Sequence, residues 1–434
     1  MSQHSFHVII IGGGLGGLCL AQGLKKAGIS VAIYERDRTR NERSQGYRIH
    51  IKAMGNHALH DCLPSHLFEA YLQTSGSPEN AGMLIRDEQL NQLIAFPVDA
   101  SKQANPLESS RSVSRITLRQ VLLTELEGIL HFDKFYSHYQ ENADGSVTAF
   151  FEDGTSATGD LLVGADGGNS RVRHQFLPHA QRNETGTVDI VGKVILTPEI
   201  NRLLAAHQLH RPNIILGPRG RALFSAVHDL SSKAGSRTQG KIGANDEALL
   251  AEESTLFENT NDYYFWAFMA REKNYPVSED LQHASKDKLL QIAQNMMADW
   301  HPTIQHLLDM TAVDTIMLTP LRIATQVAPW ESQNLTLLGD AIHSMPPTRG
   351  IGGNIALRDA QLLCQKLISV ARQEKNMPEA LKEYVTEMLS YSFAAVKSSK
   401  QSLDLIVMEN TPGRALAKTA LRSYKLLASH DLSA

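Results

Sequence analysis

Apolar positions along the chain fall into blocks of two periods. Val8 to Ile11 are four consecutive β-favouring residues and predict a buried parallel strand. Helical spacing follows from about Gly16 to Lys26, with Gly28 placed to end the helix. Ser30–Tyr34 predicts a second strand. In Gly46–Ile51 the residues alternate, Arg48 and His50 on one face and Ile49 and Ile51 on the other. This suits a strand lining a polar cavity and equally a half-buried edge strand. Two short strands, 83–86 and 93–96, flank a turn. Ser114–Leu123 opens a helix, and 130–160 predicts a small antiparallel sheet with turns at Asp144-Gly145 and Asp153-Gly154. Asp160–Arg173 reads as strand, glycine turn and helix start.

Beyond residue 185 the pattern is β-rich: 188–196, 213–217, 222–227 and the aromatic run 263–269, separated by a polar stretch at 231–245. These runs predict a largely antiparallel, substrate-facing sheet. Residues 285–311 are helical with a break at His301-Pro302. Asn334–Leu363 repeats the theme of strand, terminal acid, proline turn, glycine loop and helix. Residues 378–427 are helical and amphipathic, and are expected to pack on the outside of the core.

The 434 residues suffice for two interleaved domains and an appendage. Apolar content of 42% and charged content of 20% are ordinary for a globular chain. A net charge of −4 argues against nucleic acid or an anionic membrane as partner. No run of 18 apolar residues predicts a membrane span, and the first strand begins too early for a signal peptide. Three well-separated cysteines, Cys19, Cys62 and Cys364, suggest neither a disulfide framework nor a zinc site, so a cytoplasmic location is expected.

Chemistry concentrates at the glycines. Gly12, Gly14 and Gly17 fit G-x-G-x-x-G between a strand and a helix. Gly12 permits the turn, Gly14 lets backbone approach a pyrophosphate, and Gly17 lets the helix sit close to the strand. The first helical turn, from Leu15, offers N–H groups and a positive dipole end to phosphate. Glu35 lies 18 residues beyond Gly17, where a carboxylate accepts the hydroxyls of an adenosine ribose. The motif specifies a dinucleotide, FAD or NAD. Asp166 and Asp340 each end a further strand, where ligands of such sheets collect. Arg115 opens a helix against its dipole, which suggests an anionic or carbonyl partner. Arg119, one turn later, has the same role or a surface one.

Three motifs in this order carry a resemblance: Gly12–Gly17 with Glu35, Asp160–Arg173, and Gly339-Asp340-Ala341-Ile342-His343. Together they resemble the single-component FAD-dependent aromatic hydroxylases of the para-hydroxybenzoate hydroxylase type, over most of residues 6–370. The resemblance implies an α/β fold. A Rossmann-like FAD-binding domain of three ββα layers (1–80, 100–184 and 285–375) would interleave with a mostly antiparallel substrate domain (81–99 and 185–284). C-terminal helices would follow at 376–434.

It further implies FAD as cofactor, held through Gly12, Gly14, Leu15, Gly17, Glu35, Arg36, Arg48, Arg115, Asp166, Asp340, Gly352, Gly353 and Asn354. NADPH or NADH would serve as co-substrate. O2 would be carried through a flavin hydroperoxide to an aromatic or polycyclic small molecule, by a monomer or homodimer. A dehydrogenase, an epoxidase or an antibiotic-inactivating enzyme on the same fold is the alternative. His343 would be a donor near the flavin or a brace for its loop, and Arg349 would add charge there or face solvent. No metal and no protein nucleophile are expected. Arg48, His50 and Tyr264 are the catalytic candidates by residue type, with His228 beside them.

Overall fold

The computed structural model describes residues 6–40, 48–75, 82–96, 105–228, 262–276 and 280–410, with 412–413 and 419. Its centre is a five-stranded parallel sheet. The spatial order is Leu335–Leu337, Leu161–Gly164, His7–Ile11, Ser30–Tyr34 and Leu130–His131. Each strand is short and apolar because both faces are covered. On one side lie the helices Leu15–Lys26 and Gly352–Ala371, which pack against each other. On the other lies a three-stranded antiparallel sheet, Tyr136–Glu141, Val147–Phe151 and Ser156–Gly159, whose Phe151 ring stacks on Tyr34 at 4.7 Å. The expected ββα layering is therefore present.

A seven-stranded sheet forms the second body. Its order is Met317–Ala324, Arg182–Ile195, Tyr263–Arg271, Ala222–His228, Asn213–Leu216, Met83–Asp87 and Gln92–Phe96. All pairings are antiparallel except Asn213–Leu216 with Met83–Asp87. Side chains alternate between its faces. One face carries Ile190, Val194, Leu223, Tyr264, Trp266 and Phe268 into a core with the helices Lys286–Met296 and Pro302–Asp309. The other presents Ile214, Ala222 and Met269 to Leu403, Ile406 and Val407, at the end of the helix Met377–Ile406.

That last helix does more than cover the outside. Tyr384, Met388 and Phe393 join the core of the parallel-sheet body, while Leu403 and Ile406 join the seven-stranded sheet. It bridges the two. The part of the helical expectation beyond residue 413 falls almost entirely outside the described residues.

The cysteines, far apart in sequence, meet in space. All three are buried, and the sulfurs of Cys62 and Cys364 both lie against Gly23 of the first helix, beside Cys19. They sit where the first helix, the helix Ala53–Cys62 and the helix Gly352–Ala371 cross.

Candidate functional site

The first glycine loop is built by two contacts within the chain. Gly12 has φ +110°, and a Cβ there would lie 2.4 Å from the Ala165 carbonyl oxygen, so the loop of the first motif presses on the second. A Cβ on Gly17 would lie 2.2 Å from the Gly12 oxygen. Gly14 differs. Its φ of −78° suits any residue, and among the described residues a Cβ there would meet nothing within 4 Å. No contact among those residues requires glycine at 14. Beside it, the helix from Leu15 has no side-chain cap on its first N–H groups, which suits an anion at that end.

Glu35 is buried, with Oε2 accepting the Gly13 N–H at 2.6 Å and Oε1 accepting that of Asp37 at 3.0 Å. Arg119 is no surface residue. It is buried, donating to the Gly13 carbonyl at 3.3 Å, the Arg40 carbonyl at 2.8 Å and the Asp37 carboxylate at 3.4 Å. It braces the loop, whereas Arg115, at the exposed head of the same helix, and Arg36 face outward.

In the second motif, Asp166 Oδ2 accepts the N–H groups of Arg171 and Val172 at 2.8 and 3.2 Å. Oδ1 is buried with no hydrogen-bond partner among the described residues, and burial pushes the carboxyl pKa up. An unmet buried acceptor costs about 1–3 kcal/mol, which a donor from a bound molecule would relieve.

Two arginines that sequence patterning did not single out join the second motif to the third. Arg173 donates to the carbonyls of Gly168 (3.1 Å) and Ala341 (2.8 Å). Arg182 donates to Ser344 Oγ at 2.9 Å and to Asn169 Oδ1 at 3.1 Å. Gly168 is where a Cβ would strike Arg182, 2.7 Å from its guanidinium carbon. The signal was faint: a single arginine, nine residues past a recognised motif, whose partners are 13 and 162 residues away.

Asp340 is exposed and opens one helical turn, Asp340–His343. His343 does not reach out toward a ligand. It is buried with Nε2 at 2.5 Å from Asp359 Oδ2, so it braces the loop. Arg349 is exposed and bonds Ser398 on the last helix. A Cβ at Gly352 would approach only Met345 Cγ, at 3.9 Å, and one at Gly353 only Leu15 Cδ1, at 3.8 Å, so their backbone is approachable. Asn354 is buried; its side chain donates to the His50 carbonyl at 2.8 Å and accepts the Lys52 N–H at 2.7 Å. It ties the third loop to the strand Arg48–Ile51, which in turn pairs with Arg111–Ser114, just before Arg115.

Among the catalytic candidates, His50 is half-buried on that strand. The side chain of Arg48 lies outside the described residues. Tyr264 lies on the helix-covered face of the seven-stranded sheet, its hydroxyl pKa pushed up by burial. His228 is buried beside Tyr263, ring centroids 4.7 Å apart. No metal-binding cluster occurs among the described residues, and none of their helices is long and apolar enough to cross a membrane.

The parallel sheet and its converging glycine loops define a dinucleotide-binding protein of the flavoprotein type. An uncapped helix, a buried terminal glutamate, an unmet Asp166 oxygen and the open space at Gly14 all fit FAD. The chain belongs to the FAD-binding domain family, whose model matches residues 5–221 and 254–399. It is 30% identical over 393 residues to the dual O-methyltransferase/FAD-dependent monooxygenase CTB3 of Cercospora beticola, covering 85% of this chain and 42% of that protein. The chain thus spans less than half the length of that relative. A putative FAD-containing monooxygenase from Photorhabdus luminescens superposes with a TM-score of 0.78 at 31% identity, over 94% of this chain and 100% of that one. HpxO of Klebsiella pneumoniae, complexed with FAD and uric acid, shares the fold (TM-score 0.74, 23% identity, 97% and 94% coverage).

Proposed function

We propose that the chain is a FAD-dependent monooxygenase that uses NADPH or NADH and O2 to hydroxylate an aromatic or polycyclic small molecule. The observation that carries this is the convergence of three loops around Gly14. Gly12 touches Ala165, Arg173 bonds Ala341, and a Cβ on Gly353 would touch Leu15. Bound FAD would supply hydride acceptance and oxygen activation, chemistry no side chain here provides.

The chain's part is binding, orientation and exclusion of water. Glu35 would accept ribose hydroxyls and the helix from Leu15 would hold the pyrophosphate. Asp166 and Asp340 would each accept a hydroxyl or amide donor. The uncapped N–H groups at Gly352 and Gly353 would favour negative charge at the flavin ring. Arg36, Arg48 and Arg115 would add positive charge along the groove.

The face of the seven-stranded sheet opposite the helices Lys286–Met296 and Pro302–Asp309 would face the substrate where the last helix does not cover it. Phe224 and Phe265 stand 6.2 Å apart there, which supports an apolar, aromatic ligand. Of the catalytic candidates, Arg48 and His50 share the strand that is tied to the third loop. Buried, unpaired cysteines agree with a reducing, cytoplasmic location, and the protein would act as a monomer or homodimer.

The test is a visible spectrum of purified protein, then a screen of aromatic compounds for stimulated NAD(P)H consumption under 18O2. A flavin spectrum and one labelled oxygen in the product are expected. A colourless protein that cannot be reconstituted with FAD would remove the proposal. Turnover without label in the product would make the enzyme a dehydrogenase.

A further inference from the structure

One buried carboxylate organises the third loop without being placed to touch a ligand. Asp359 is fully buried on the helix Gly352–Ala371. Its Oδ2 accepts the Gly339 N–H at 2.8 Å and the Nε2–H of His343 at 2.5 Å; its Oδ1 accepts the Tyr391 hydroxyl at 2.6 Å. Gly339 immediately precedes Asp340 and holds φ at +64°, a conformation open to glycine and in need of support. His343 ends the same helical turn. One oxygen therefore closes that turn from both ends.

Tyr391 comes from the bridging helix Met377–Ile406, and the Arg358 guanidinium lies over its ring, 3.9 Å from the centroid. Asp359 itself sits about a turn and a half beyond Asn354. A single group thus links the glycines at the head of its own helix, the acid of the third motif and the last helix.

We propose that Asp359 is a positioning residue for the flavin. By holding Gly339, His343 and Tyr391 it aims Asp340, and it makes FAD retention depend on the docking of the C-terminal helix. The inference rests on the FAD site described above. A carboxylate suits the task because it accepts from all three donors at once, in a site water does not reach. An amide in its place would offer one acceptor oxygen and turn its own N–H groups on the remaining donors.

The experiment titrates apo-protein with FAD by flavin fluorescence, for wild type, Asp359→Asn, Tyr391→Phe, Asp340→Ala and the double variant Asp340→Ala/Asp359→Asn. The thermal midpoint of each is measured with and without saturating FAD. Asp359→Asn is expected to weaken FAD binding about tenfold or more and Tyr391→Phe about threefold. The double variant should bind little more weakly than Asp340→Ala alone, since Asp359 acts through that residue. The rise in midpoint produced by FAD should shrink. A merely structural role would lower both midpoints and leave the rise unchanged.

Folded variants with wild-type FAD affinity, or fully additive effects in the double variant, would overturn the proposal. Should Asp359→Asn not fold, Tyr391→Phe, which removes one hydroxyl, decides alone. A wild-type protein that binds no FAD would overturn the cofactor site as well; wild-type binding with unaffected variants removes only this inference.

Discussion

The Glu35 carboxylate accepts the backbone N–H of Gly13 at 2.6 Å. The acid that ends the second strand thereby shapes the glycine loop that ends the first. Arg119 grips the same loop from below through the Gly13 carbonyl. The glycine loop is thus held from two other segments of the chain, the end of the second strand and the helix behind Ser114.

Two glycines of one motif should respond oppositely to alanine. Gly17→Ala places a methyl 2.2 Å from a backbone oxygen and should cost about 3 kcal/mol or more of stability. Gly14→Ala meets nothing among the described residues, so urea unfolding of the apo form should change by about 1 kcal/mol or less. Its FAD affinity should nevertheless fall at least about tenfold, since the methyl would occupy the space reserved for pyrophosphate. A Gly14→Ala variant that binds FAD normally would contradict the placement.

Arg115 and Arg119 should separate binding from stability. Arg119→Met breaks a buried set of hydrogen bonds and leaves Asp37 without its arginine, at a cost of about 2–4 kcal/mol in denaturant unfolding. Arg115→Ala, at an exposed helix head, should change stability by about 0.5 kcal/mol or less. It should weaken FAD binding by isothermal titration. Equal stability losses in the two would refute the distinction.

His343 should leave a signature in the pH dependence of stability. Burial alone would lower its pKa; the Asp359 carboxylate overcomes that and holds it above 6.5, with Asp340 adding to the effect. A raised folded-state pKa contributes stability that is fully present below 6.5 and lost as pH rises through the raised value. The stability difference between wild type and His343→Gln, from urea unfolding at several pH values, should therefore be largest on the acid side. It should shrink as pH increases above 6.5. A difference independent of pH would show that folding leaves the His343 pKa unshifted.

The three thiols should be inert in the folded protein. Contact with Cys19 and burial push the Cys62 thiol up, and contact with Cys62 together with burial does the same for Cys364. The thiolate is the reactive form, so maleimide at neutral pH should label the native chain negligibly and all three cysteines after unfolding. Fast native labelling would mean that the helices around them part readily.

Whatever depends on local order along the chain was legible without coordinates. Val8–Ile11, the glycines after it, Glu35 at the next strand's end and the helix behind Ser114 are all set by neighbours within a few residues. Strand period, turn chemistry and capping act over that range, and so the parallel core and its first motif could be read directly. The β-rich runs between 185 and 275 likewise announced an antiparallel sheet.

Relations between distant segments are another matter. Arg182 meets Ser344, Asp359 meets His343 and Tyr391, and three scattered cysteines share one pocket of the core. None of these partners leaves a periodic trace, because each is a single side chain whose meaning comes from what another element brings beside it. The last helix shows the difference most clearly. Its apolar stripe declared that it packs, while only the tertiary structure decided that it packs on two bodies at once and bonds Asp359 through Tyr391. Hydrophobic periodicity encodes that a face is buried, and it carries no address for the surface that buries it.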